Sequence, residues 1–220
     1  MRPGKRLLPL LAVFLILSGC AAMKPAGEEP PGPPKLAASS IRARAVVEIK
    51  KNEFTASGRA AILAKAPGSF RIEVFGPFGM TAALIASDGQ KLFVNSDGEI
   101  SEFFWGDPEI PYSFEAEEVV SFLTGAPNPP TLDTPGIKAS RDEWGRLREY
   151  SRAVEGRDAL LVTLGEYREV NGAHIPFLIR IEDGKRDLAI KYTEVEINPL
   201  IEGDLFKSEA RSDQGSKEVD

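Results

Sequence analysis

The sequence contains a single cysteine and a single histidine, and these two scarcities remove most side-chain chemistry. Cys20 has no partner for a disulfide within the chain and no companion thiolate for a metal site. His174 stands alone beside an Asn171-Gly172 turn, where it reads as a surface residue, so nucleophilic triads and zinc sites lack their parts. No Gly-x-Ser-x-Gly elbow, phosphate loop or dinucleotide fingerprint occurs. Acidic pairs such as Glu117/Glu118 and Asp142/Glu143 lie among thirty-three carboxylates, so their presence points to nothing. The expectation is a non-enzymatic chain with no catalytic residue, no metal and no cofactor. A basic excess is lacking as well. The formal charge is −6, and it becomes −9 once residues 1–19, with Arg2, Lys5 and Arg6, are set aside. Such a chain has no electrostatic footprint for nucleic acid. It gains nothing from anionic lipid either, so contact with a membrane must be apolar or covalent.

What is present begins with a targeting segment. Arg2, Lys5 and Arg6 form a basic region, and Leu7 to Leu17 is an apolar run of eleven residues. A mature membrane-spanning helix needs roughly 20. The run ends in Leu17-Ser18-Gly19-Cys20, which is similar to a bacterial lipobox: small residues before a cysteine, directly after the apolar run. This reading makes residues 1–19 a lipoprotein signal peptide and Cys20 the lipidated mature N-terminus. Ala21, where Asp would direct retention at the inner membrane, favours the outer membrane. Residues 20–40 hold Pro25, Pro30, Pro31, Pro33 and Pro34 among small residues and read as a tether, with a reach on the order of 60 Å at ~3.1 Å per residue. Residues 207–220 read as a polar disordered tail. One domain, 41–206, remains.

Period-2 alternation dominates that domain. Ile41, Ala43, Ala45, Val47 and Ile49 share one face of "IRARAVVEIK"; Phe70, Ile72 and Val74 share one face of "SFRIEVF"; Ile175, Phe177, Ile179 and Ile181 line up in "HIPFLIRIED". In "DLAIKYTEVEI", Leu188, Ile190 and Tyr192 agree, but Val195 and Ile197 have the opposite parity, which predicts a bulge near Thr193 and Glu194. Turn signals at Asn52-Glu53, Pro67-Gly68, Asp88-Gly89, Asp97-Gly98, Asn171-Gly172 and Asp183-Gly184 make this an antiparallel meander of about ten strands.

One helix is predicted, over Ser113 to Gly125, with Ser113 as N-cap, glutamates in the first turn, an apolar stripe of Ala116, Val119, Val120 and Leu123, and Gly125 closing it. A short helix with one apolar face, interrupting a long meander, reads as a cap over an open barrel mouth. Strands such as "TAALIA" are apolar on both faces, and "EFFWG" sets Phe103, Phe104 and Trp105 in a row. Either helices and loops cover the second face, or a strongly curved sheet encloses an apolar cavity in which small side chains leave room for a ligand.

The run "FRIEVFGPFGMTAALIASDGQKLFVNSDGE" (Phe70 to Glu99), followed by "EAEEVVSFLTG", resembles the LolB family of outer-membrane lipoprotein receptors. The shared features are a strand ending in a Gly-Pro-hydrophobic-Gly turn, an apolar strand, a turn, and a helix ending in Leu-Thr-Gly. The likeness is tight over roughly 70–125 and becomes a general strand pattern from 42 to 69 and 146 to 206. It implies a mainly β fold: an incomplete, strongly curved antiparallel β-barrel with a short helical lid over an apolar cavity, a fold shared with the soluble carrier LolA. It also implies a function: binding the acyl chains of lipoproteins received from a LolA-like periplasmic carrier and helping insert them into the outer membrane. The chain would be lipid-anchored to that membrane, facing the periplasm, and monomeric. A sensor or envelope assembly factor of the RseB type is the alternative use of the same fold.

Carried onto this sequence, the membrane-contact loop is Pro77, Phe78 and Gly79, with Phe78 protruding. The cavity and lid candidates are Ile72, Val74, Leu84, Phe103, Trp105, Val119, Leu123, Phe177 and Ile179. There is one departure: "APNPPTLDTPGIKAS" (Ala126 to Ser140) has five helix breakers in fifteen residues where the family has more lid helix, so a smaller lid is expected. The energetics suit a carrier. Exposing three acyl chains of ~15 carbons to water costs on the order of 35 kcal/mol at about 0.8 kcal/mol per methylene, so such cargo needs a continuous apolar path.

Overall fold

The computed structural model describes residues 38–207, except 53, 97, 108, 109, 111–113 and 154–158. The signal segment, Cys20, most of the tether, the tail beyond 207 and Ser113 therefore lie outside the described residues. Among the described residues eleven strands form one sheet, one more than the alternation predicts. They are β1 (Ser40–Lys51), β2 (Phe54–Lys65), β3 (Ser69–Phe75), β4 (Thr81–Asp88), β5 (Lys91–Ser96), β6 (Glu99–Phe104), β7 (Ile137–Arg141), β8 (Leu147–Arg152), β9 (Leu160–Val170), β10 (Ala173–Glu182) and β11 (Arg186–Ile197). A helix, α1 (Ala116–Thr124), falls between β6 and β7. β7 lies inside the proline-rich stretch. It is an edge strand, exposed at every position after Ile137, so no buried face imposes a period on its residues.

The strands pair antiparallel in the order β6-β5-β4-β3-β2-β1-β11-β10-β9-β8-β7, and the strongly curved sheet stays open between β6 and β7. β1 pairs with β11 in the middle of this order, so the two ends of the domain are joined. The backbone N–H groups of Ser39 and Ser40 donate to Asn198 Oδ1 at 2.9 and 3.4 Å, and Ala38 is buried. Ala38 to Ser40, ahead of the expected boundary at 41, thus pack with the domain.

The parity break in β11 is a bulge. Arg44 faces Glu194 and Ala45 faces Tyr192, which leaves Thr193 as the extra residue. Its hydroxyl donates to the Arg44 carbonyl at 3.2 Å. The extra residue returns Val195 and Ile197 to the concave side, opposite Ala43 and Ile41. One cluster of buried side chains from β1, β2, β3, β5, β8, β9, β10, β11 and α1 fills that side.

β6 and β7 are neighbours in sequence but sit at opposite sheet edges, so the segment between them has to cross the sheet, and it carries α1 across the concave face. α1 lies against β1, β2, β3 and β10. The meander also sorts the turns between two ends. The proximal end holds Ser40, where the tether arrives, with the β2–β3, β4–β5 and β9–β10 turns. The distal end holds the β1–β2, β3–β4, β5–β6 and β10–β11 turns.

Candidate functional site

The β3–β4 connection is a single 3₁₀ turn, Pro77–Gly79, closed by Gly76 N–H donating to the Met80 carbonyl at 2.9 Å. Pro77 suits the first position of such a turn because its ring presets φ and no N–H is required there. Phe78 follows at φ 67°, ψ 9°, a left-handed conformation uncommon for a bulky residue. Its side chain is 100 % exposed. The ring therefore gains nothing from burial while its backbone is strained. Gly79, at φ 80° with open space around it, completes the reversal.

Behind this turn lies the concave face. Near the proximal end it is closed by α1, which begins at an N-cap of Glu115 rather than at Ser113. The Glu115 N–H donates to Glu118 Oε2 at 2.9 Å, the reciprocal arm of a capping box built on glutamate. Gly125 ends the helix at φ 71°, with Ala126 N–H donating to the Ser121 carbonyl at 2.9 Å. A Cβ on Gly125 would stand 2.5 Å from Pro176 Cδ, so glycine also permits the close approach of the helix to β10.

The helix is buried on more than its expected stripe: Ala116, Glu118, Val120, Ser121, Phe122, Leu123 and Thr124 are all buried, and Val119 only partly. It is held between the sheet and the proline-rich loop that follows it. The Phe122 ring meets Phe114 and Tyr150 edge-on, at centroid distances of 5.5 and 5.2 Å. The Tyr192 hydroxyl donates to the Leu123 carbonyl at 3.0 Å.

Glu118 is fully buried and accepts hydrogen bonds from Tyr150, Thr131 and Arg152, which ties α1 to β8 and to the loop. Burial, and then the bond to Glu118, push the Tyr150 hydroxyl up to about 12. Burial works against the Arg152 charge, but Glu118 and Tyr150 outweigh it and raise the guanidinium. From the sequence Glu118 is one of the first-turn acids that the helix dipole favours. Its position three residues after the N-cap was the available signal, since that residue turns back toward the chain.

The other expected residues divide. Leu123, Phe177 and Ile179 are buried in the concave core, and Trp105 lies tilted against Phe70 at a centroid distance of 6.2 Å while its Nε1 donates to Ser87 Oγ at 3.2 Å. Ile72, Val74, Val94 and Phe103 pack against the same core but stay partly exposed; Ala83 beside them is half-buried and Ile85 is exposed. The β3–β6 side of the concave face is thus an apolar surface that α1 leaves partly open.

Leu84 does not belong to it. Leu84, Ala86 and Phe93 form a separate cluster on the convex face. There the C-terminal 3₁₀ turn Gly203–Phe206 lies against β3 and β4, with Ile201 and Phe206 buried. Arg71, on the same face and opposite Ala86, is nearly buried and donates to the Leu205 and Lys207 carbonyls at 3.3 and 3.4 Å. A loop therefore covers the second apolar face of "TAALIA", and Leu84 leaves the list of cavity residues.

A cleft of about 720 Å³ opens on the convex side beside the turn, between Phe75, Gly79, Ala61, Val46 and the bulge at Thr193 and Glu194. Small side chains in β1 and β2 make the room there.

No family model matches the sequence, and no curated protein does. Solved structures match the fold. A LolA-superfamily protein of Nitrosomonas europaea aligns with a TM-score of 0.52 at 10 % identity, over 80 % of this chain and 93 % of that one. An outer-membrane lipoprotein-sorting protein domain of Vibrio parahaemolyticus, described as putative, aligns with a TM-score of 0.51 at 9 % identity, over 76 % and 88 %. At such identities the likeness speaks for architecture: this chain shares with the LolA-superfamily protein an open, strongly curved antiparallel sheet with a helix on its concave face.

Proposed function

We propose that this chain is a lipoprotein of the bacterial envelope, anchored through Cys20 to the outer membrane and facing the periplasm. It receives the acyl chains of other lipoproteins on its apolar concave face and helps deliver them to the bilayer, in the manner of LolB. The donor is a LolA-like periplasmic carrier, and no covalent step occurs. The observation that carries this reading is Phe78, fully exposed on a strained turn at one end of a partly open apolar surface. The lipoprotein-sorting description of the Vibrio parahaemolyticus domain agrees with it.

On this reading Val74 is the part of the acyl-binding surface nearest to the turn, Ile72 follows it along β3, Phe103 and Trp105 carry the surface toward the proximal end, and Val119, Leu123, Phe177 and Ile179 are its lid and floor. Physically, the surface offers acyl chains an apolar path that water does not. One ring inserted into lipid contributes only about 1.5–3 kcal/mol, too little to hold a protein but enough to orient one already tethered.

Phe78→Glu tests the reading. The variant should fold normally while lipoproteins fail to reach the outer membrane, and normal sorting in that variant overturns the proposal. Native mass spectrometry of the protein should detect bound acyl lipid. A stable complex with a membrane protein, without transient capture of a carrier or acylated cargo, would favour a sensor of the RseB type.

A further inference from the structure

The Phe78 turn is not the only apolar tip at the distal end of the sheet. The β1–β2 hairpin presents Phe54 (64 % exposed), the β3–β4 turn adds Met80 (70 %), and the β5–β6 hairpin presents Ile100 (60 %). Three successive hairpins of the meander thus each carry at least one large exposed apolar side chain at one end. Hairpin tips are ordinarily polar, since their side chains face water. At the proximal end the exposed apolar residues have a different character: Phe104 lies beneath Lys91 Nζ, 5.1 Å from the ring centroid, and Leu200 stands alone.

The partly open stretch of concave face reaches the same distal end, because Val74 and Ala83 are the positions nearest the β3–β4 turn. α1 closes the other end, where Ala116 meets the β2–β3 turn and Gly125 meets Pro176. The apolar rim and the opening of the apolar surface therefore coincide, and the tether joins the domain at the opposite end.

We infer that the distal rim from β1 to β6, Phe54, Phe78, Met80 and Ile100 together, is the surface this chain lays on a lipid bilayer, with the tether long enough to bring that rim to the membrane that holds Cys20. This rests on the reading of the chain as a lipid-anchored carrier. The occupant is lipid because the chain is net negative, which disfavours an acidic partner, and because the β3–β4 turn within the rim adjoins the proposed acyl-binding face.

The length of chain outside the structure fits. β1 has twelve residues, so the sheet extends about 40 Å from the tether's attachment to the rim at ~3.3 Å per residue. Residues 21–39 could span about 60 Å if extended as polyproline, at ~3.1 Å per residue. The tether can therefore run back along the domain and leave a margin of about 20 Å. A tether half as long could not.

The test uses the full lipidated chain in phosphatidylethanolamine/phosphatidylglycerol vesicles that contain nitroxide-labelled lipid. Cys20 carries acyl chains, so a second cysteine is the one free thiol for an environment-sensitive fluorophore. Phe54→Cys, Phe78→Cys, Met80→Cys and Ile100→Cys should each give blue-shifted, quenched emission, and Leu200→Cys should give neither. Deleting residues 24–35 should abolish the quenching at all four rim sites while the protein still floats with the vesicles.

Quenching at Phe78→Cys without quenching at Phe54→Cys and Ile100→Cys overturns the rim but leaves the carrier reading standing. No quenching at any site, Phe78→Cys included, overturns both. Quenching that survives the deletion overturns the role of the tether.

Discussion

Replacing Phe78 with asparagine should raise the stability of the domain while weakening its contact with membranes. The two effects come from different parts of one residue. At φ 67° the Phe78 backbone occupies the left-handed region, which costs an L-residue about 1–2 kcal/mol. Asparagine is several-fold enriched there because its short side chain bonds locally. The ring, wholly exposed, returns nothing through burial. Most of that strain should be relieved, giving a gain of about 0.5–1 kcal/mol. For a domain of this size that is a rise in Tm of about 1–4 °C. Against a bilayer the sign reverses: losing a buried Phe ring removes about 1.5–3 kcal/mol, so partitioning into vesicles should fall roughly tenfold to a hundredfold. Urea unfolding and vesicle flotation of the protein with Cys20 replaced, so that no lipid anchor holds it on the vesicles, measure both. If Phe78→Asn destabilises the domain by more than about 1 kcal/mol, the ring packs against something in solution and the reasoning is wrong.

Further outcomes concern how the lid is held. Glu118→Ala should destabilise by about 3–5 kcal/mol in urea unfolding, since it removes the buried carboxylate that Arg152, Tyr150 and Thr131 share, and a double-mutant cycle with Arg152→Leu should show strong coupling. Gly125→Ala should be far more damaging than Gly79→Ala: both have positive φ, but a Cβ at 125 collides with Pro176 while one at 79 meets open space, so the second change should cost only about 1–2 kcal/mol. Tyr150 is pushed up to about 12, and burial raises Tyr167 and Tyr192 as well. A raised folded value favours the protonated hydroxyl, so the stability these groups contribute is complete below their ordinary value of about 10 and is lost as pH rises above it. Ultraviolet titration should show the tyrosinate signal of these three residues appearing late, together with unfolding.

The local features of this protein were legible in its sequence because each has a local cause. Alternation marked the strands with a buried face, and Gly125 marked the end of the helix. The parity break in "DLAIKYTEVEI" located the bulge at Thr193, since one extra residue must appear wherever a strand changes phase against a constant core. β7 escaped notice for the complementary reason: an edge strand exposed on both faces carries no period. The resemblance over 70–125 indicates the open, strongly curved sheet that the structure has, and it singles out the turn on which Phe78 stands.

What only the tertiary structure decided depends on partners distant in the chain. "TAALIA" is apolar on both faces, and nothing in those six residues says that the C-terminal turn, more than a hundred residues later, covers Leu84 and leaves Ile85 facing the concave side. Glu118 is one of thirty-three carboxylates until the fold sets Tyr150, Thr131 and Arg152 around it. Phe54, Phe78, Met80 and Ile100 are scattered along forty-seven positions of sequence. They become one rim because an antiparallel meander returns every second turn to the same end of the sheet. The backbone's local preferences determine where elements begin and bend, while burial, which acts between residues far apart in sequence, determines which face of each element is used.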